Sequence, residues 1–231
     1  MIKVFEKKET LFCMLLIALY LAVNFVCVQL FGETSIVSFI ANTVLSLLLL
    51  TLMLILKRTA YYGLTKVENA RKYLYFFPLL IIISVNLWNG FNMTRPAEEI
   101  IIHILTMINI GFIEEIIFRG FLFKMMARTN VKAAMIVSSV TFGAGHIINL
   151  LNGAQLLPTL FQICFACAIG YLFVVIFCRS QSLVPCIVTH SLVNSLSVFN
   201  IENDLSLYIA PVVLIVVPIA YAAYINKRIK V

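Results

Sequence analysis

The stretch VLSLLLLTLMLIL, residues 44–56, contains no charged residue and no alternation of apolar with polar positions. A β-barrel span alternates over about ten residues, so this run reads as a helix in lipid rather than a barrel strand. A helix needs about 20 mainly apolar residues to cross a bilayer, and the run extends to residues 35–56. Working outward, comparable runs occupy residues 10–31, 73–90, 98–123, 132–150, 155–178, 182–200 and 206–225. The pattern predicts an all-α, polytopic membrane protein with about eight transmembrane helices. Composition agrees: 62% of the 231 residues are hydrophobic and 12% are charged, which excludes an ordinary soluble domain.

The basic residues give the expected orientation. Lys3, Lys7 and Lys8 precede the first span, and Lys57, Arg58, Lys66, Arg71 and Lys72 follow the second. Lys124, Arg128 and Lys132 follow the fourth, Arg179 the sixth, and Lys227, Arg228 and Lys230 the last. All fall on one side, whereas the opposite loops pair Arg95 with Glu33, Glu98, Glu99, Glu202 and Asp204. The positive-inside rule then places both termini in the cytoplasm. The net charge of +7 is thus topological, matched to a lipid bilayer with anionic headgroups and not to nucleic acid.

Smaller features fit one integral domain over residues 1–231. The loop KRTAYYGLTKVENARKY, residues 57–73, has the aromatic and basic content of a short interfacial helix. The first apolar run exceeds the usual signal-peptide core of about 7–15 residues and reads as a retained helix. All six cysteines lie in or at the ends of spans, so no extracellular disulfide framework is expected. Cys164 and Cys167 form a C-x-x-C pair that reads as small apolar packing.

Chemistry concentrates in residues 98–200. The stretch GFIEEIIFRG, residues 111–120, places three ionisable groups in an apolar helix. Charges at this depth cost several kcal/mol, so they should face the protein interior or a water-filled cavity. Glu115 and Arg119 share one helix face as an i, i+4 ion pair. Glu114 points about 100° away and is left able to exchange a proton. The stretch FGAGH places Phe142 and His146 on one face, with Gly143 and Gly145 permitting close approach of a neighbouring helix. The stretch HSLVN places His190 and Asn194 on one face, two hydrogen-bond donors suited to a developing oxyanion, with Pro185 as a candidate kink below them. At about 1.5 Å per residue these groups fall in one mid-membrane layer. His103 lies roughly 16 Å nearer the outer surface, is expected to have no polar neighbours, and is assigned to structure or the interface.

The three motifs, Glu114–Glu115-x-x-x-Arg119, Phe142-x-x-x-His146 and His190-x-x-x-Asn194, match in order those of the CPBP, or Abi, family of CAAX-processing and bacteriocin-immunity-type intramembrane proteases. The resemblance covers about residues 98–200. It implies an intramembrane endopeptidase in which Glu114, with His146, activates water that attacks a peptide carbonyl. His190 and Asn194 would stabilise the oxyanion, while Glu115, Arg119 and Phe142 support the site. Other intramembrane protease chemistries lack their residues: there is no H-E-x-x-H motif, and Asp204 is the only aspartate. Glu114, His146 and His190 also form a conceivable three-ligand set for a divalent metal such as zinc, with a fourth position left for water.

Two other classes are compatible with buried ionisable groups. One is a proton-coupled transporter, although the chain lacks convincing internal repeats. The other is a non-catalytic bacteriocin-immunity or peptide-binding membrane protein. For an enzyme, the expected partner is a membrane-associated peptide or a lipidated C-terminal substrate, reached from the cytoplasmic side of a bacterial plasma membrane.

Overall fold

The structure is a computed structural model that describes residues 2–201, 203 and 205–229, with side chains from residue 8 onward. Glu202, Asp204 and Lys230, used above in the charge argument, lie outside the described residues.

Among the described residues there is no strand, and the elements are helices joined by short turns. α1 (Ile2–Phe31) and α2 (Ile36–Ile55) form the first two spans. Between them Gly32 adopts φ +85°, and Ser35 caps α2 by accepting from the Ser38 backbone N–H at 3.1 Å. A 3-10 segment (Ala70–Phe76) leads into α3 (Phe77–Ser84). The third long segment comprises α4 (Ala97–Glu115), a π-helical stretch (Ile116–Phe123) and the short α5 (Lys124–Ala127). Then follow α6 (Val131–Gly145), α7 (Ile148–Leu151), α8 (Leu156–Ser180), α9 (Val184–Leu196) and α10 (Ala210–Arg228).

Seven of these stretches are long and apolar enough to cross a membrane, and the protein is an integral, all-α polytopic membrane protein. The eighth expected span, residues 182–200, is present as a shorter apolar helix, Val184–Phe199. It starts late because Ser182 is held in a turn by Ser180 and donates its hydroxyl to the Thr65 carbonyl. Pro185 occupies the first turn of α9, where its missing N–H costs nothing, so it starts the helix and does not kink it.

Two further expectations are corrected. The loop after α2 forms turns up to residue 69 and enters the 3-10 segment only at its end, so it is not an interfacial helix, and it packs onto the bundle. Tyr62 is fully buried, and the Leu183 backbone N–H donates to the Gly63 carbonyl at 2.8 Å. A Cβ at Gly63, which has φ +90°, would lie 2.6 Å from the Phe177 ring. The third span is also broken. Leu74, Tyr75 and Phe76 adopt left-handed conformations, so the chain turns before α3 begins at Phe77.

The basic loops share one end of the bundle. Arg128 pairs with Glu9, Lys124 Nζ donates to Gln181 Oε1, and Arg179 Nη2 donates to Asn226 Oδ1. At the other end the Asn92 N–H donates to the Phe199 carbonyl, and Asn89 Nδ2 to that of Ile201. The segment from α9 to Ile201 therefore connects the two ends, and α1 begins at the end where α10 finishes. In the interior α8 packs on α6 and α10, while α4 packs on α2 and α9. Gly111 makes the last contact close: a Cβ there would lie 2.8 Å from the Ser191 backbone nitrogen.

Candidate active site

Glu114 and Glu115 are the last residues of α4, immediately before the π-helical stretch that carries Arg119. Wide π-turns of this kind recur at functional sites. Glu115 and Arg119 are wholly buried, and Arg119 Nη1 donates to Glu115 Oε1 at 3.0 Å. The guanidinium also lies over the Phe142 ring, 4.2 Å from its centroid, and 5.8 Å from that of Phe173. Stacking on aromatic faces offsets part of the cost of burying this cation. Room for it comes from Gly170 on α8, where a Cβ would lie 2.8 Å from Arg119 Nη2.

Glu114 has different partners. The Tyr20 hydroxyl on α1 donates to Glu114 Oε1 at 2.6 Å, and His190 Nε2 lies 3.2 Å from Oε2. His190 Nδ1 lies 2.9 Å from Glu115 Oε1. One imidazole thus bridges two adjacent carboxylates, and Glu115 Oε1 receives both Arg119 and His190. The Phe142 ring stands edge-on to both histidines, with centroid distances of 5.5 Å to His146 and 5.5 Å to His190.

His146 is the C-cap of α6, where the helix gives way to a turn before α7. It borders a small open cavity between α6, α8 and α9. His190 and Asn194, one turn apart on α9, also line this cavity, as does Gln162. Asn149 Nδ2 donates to Gln162 Oε1 at 2.8 Å, which holds this amide at the cavity wall. The remaining wall is apolar and includes Phe165, Ala166, Ile169, Phe173 and Val193.

The structure therefore brings Glu114, Glu115, Arg119, Phe142 and His190 into direct contact, and gathers His146, His190 and Asn194 around one cavity. Both His190 ring nitrogens face carboxylate oxygens, so Asn194 is the more open of the two expected oxyanion donors. Among the described residues no three His, Cys, Asp or Glu side chains are grouped to hold a metal ion. Glu114, His146 and His190 do not form such a group.

Four contributors are invisible to motif spacing. Tyr20 lies 94 residues before Glu114, and Gly170, Phe173 and Gln162 sit in α8, a helix without a motif. His103 also differs from expectation. It is buried, with Nε2 3.1 Å from the Asn194 carbonyl oxygen and 3.3 Å from Ser197 Oγ. It braces the end of the helix that carries Asn194. Gly143 does permit close packing, since a Cβ there would lie 2.8 Å from the Ile163 carbonyl oxygen on α8, whereas Gly145 faces open space. Cys167 packs at this contact, and Cys164 is an exposed free thiol.

A family model described as type II CAAX prenyl endopeptidase Rce1-like matches residues 96–196. The match begins one residue before α4 and ends with the last residue of α9. No curated protein and no solved structure matches the chain.

Proposed function

Residues 96–196 belong to the Rce1-like type II CAAX prenyl endopeptidase family, and from that premise we propose that Glu114 is the general base of an intramembrane endopeptidase. The observation that carries this reading is the asymmetry of the carboxylate pair. Glu115 is locked by Arg119 and His190, whereas Glu114 has no arginine partner and meets His190, whose ring lines the cavity shared with His146 and Asn194.

In this mechanism a water between Glu114 and His146 gives a proton to Glu114 as its oxygen attacks the peptide carbonyl carbon. Charge moves to the carbonyl oxygen, where the Asn194 amide N–H donates, joined by His190 Nε2 from its place beside Glu114. The carbon–nitrogen bond then breaks, and the proton held by Glu114 passes to the leaving amine. Glu115 and Arg119 hold His190 and the π-helical turn in register.

The apolar wall of Phe165, Ala166, Ile169, Phe173 and Val193 suits an apolar side chain or a lipid-modified terminus of a membrane-associated peptide. We place access on the side of the basic loops, read as the cytoplasmic face of a bacterial plasma membrane. The test is cleavage of fluorogenic lipidated and unlipidated peptides by the purified protein in lipid, with and without a chelator. Cleavage lost in Glu114→Gln and unchanged by chelator is the expected result. Cleavage that survives Glu114→Gln overturns the mechanism, and a folded wild type that cuts no peptide points to transport or passive binding.

A further inference from the structure

The first helix lies outside the family-matched segment, yet it sends one side chain to the carboxylate pair. Tyr20 is 4% exposed, and its hydroxyl donates to Glu114 Oε1 at 2.6 Å. A short bond from a hydroxyl to a buried carboxylate is among the stronger hydrogen bonds. Its geometry also divides the labour between the two oxygens of Glu114. Oε1 is occupied by Tyr20, while Oε2 is buried and faces His190 Nε2 at 3.2 Å.

The position of Tyr20 is itself held by polar contacts between spans. Asn24 Nδ2 donates to the Tyr20 carbonyl at 3.0 Å, and Asn42 Nδ2 on α2 donates to Asn24 Oδ1 at 3.1 Å. Next to Asn42, Thr43 Oγ1 accepts from Asn109 Nδ2 on α4 at 3.1 Å. This relay ties α1 to α2 and α2 to α4, five residues before Glu114. Hydrogen bonds between spans fix register where lipid offers no alternative partner. The few polar residues of the first two spans thus set the height of the Tyr20 hydroxyl against Glu114.

We propose that Tyr20 is a positioning residue for Glu114: by occupying Oε1 it fixes the rotation of the carboxylate and holds Oε2 toward His190, which lines the cavity. The proposal rests on Glu114 being the base. Tyr20→Phe keeps the ring and deletes the hydroxyl, and should lower kcat between about 10- and 100-fold with KM unchanged, the penalty of a loosened catalytic group. A merely structural role would instead lower thermal stability and leave the kcat of the folded fraction intact.

A second measurement does not depend on turnover. With 3-fluorotyrosine installed at position 20, the fluorine resonance should move when Glu114→Gln is introduced, because the acceptor of the hydroxyl changes. An unmoved resonance overturns the contact. Wild-type kcat in Tyr20→Phe overturns the positioning role while the protease reading stands. A wild type without cleavage overturns the base assignment and the positioning role together, and the fluorine shift then reports the hydrogen bond alone.

Discussion

The α4–π segment and α8 are equally buried in the bundle, yet they are built from different chemistry. α8 is mainly apolar, has no acidic residue and carries its one basic residue, Arg179, in the last turn. The α4–π segment buries Glu114, Glu115 and Arg119 within six consecutive residues. α8 shows what this interior accepts by default, so the charges next to it are an added cost that packing alone does not call for. The two helices are also complementary. α8 supplies Gly170, which makes room for the guanidinium, and Phe173, which flanks it, while Phe142 of α6 closes the other side.

That contrast can be broken in graded steps. Glu114→Gln removes the proposed base while leaving the buried ion pair intact, and should lower the cleavage rate by about 10²- to 10⁴-fold with unfolding unchanged. Arg119→Leu leaves Glu115 buried without its cation and should cost about 3–5 kcal/mol in unfolding measured in mixed micelles. The double variant Glu115→Leu, Arg119→Met makes this segment resemble α8, and should regain much of that stability while remaining inactive. Failure to regain it would mean that the pair stabilises the bundle outright. Gly170→Val alters α8 instead, crowding Arg119 Nη2 and the Phe142 ring, and should cost about 1–3 kcal/mol, read in the same unfolding assay. The smallest effect is expected from Cys164→Ser. Its thiol is exposed and outside the cavity lining, so stability should move by less than about 0.5 kcal/mol and cleavage should not respond to thiol oxidants.

The legible parts of the site were those with helical spacing. Glu115 and Arg119 pair as an i, i+4 couple, and His190 and Asn194 line the same cavity, because side chains four residues apart share a helix face. The limits of that logic are equally local. It put His190 and Asn194 on one helix face without showing that the His190 ring also meets two carboxylates of another span. It left His103 without polar company, although a backbone carbonyl and a hydroxyl from α9 reach it. It read residues 73–90 as one helix, where three left-handed residues interrupt the chain.

The sequence by itself determined the membrane class, the approximate number of spans, the grouping of basic loops at one end and the identity of the ionisable cluster. Each of these follows from composition or from contacts within one helix, which the chain's own periodicity dictates. Tertiary structure alone decided that Tyr20 meets Glu114, that His190 bridges two carboxylates, and that an apolar helix without a motif houses the arginine. Those contacts join spans distant in the chain, and their register is set by interhelical packing and hydrogen bonds, which leave no periodic trace in either sequence segment.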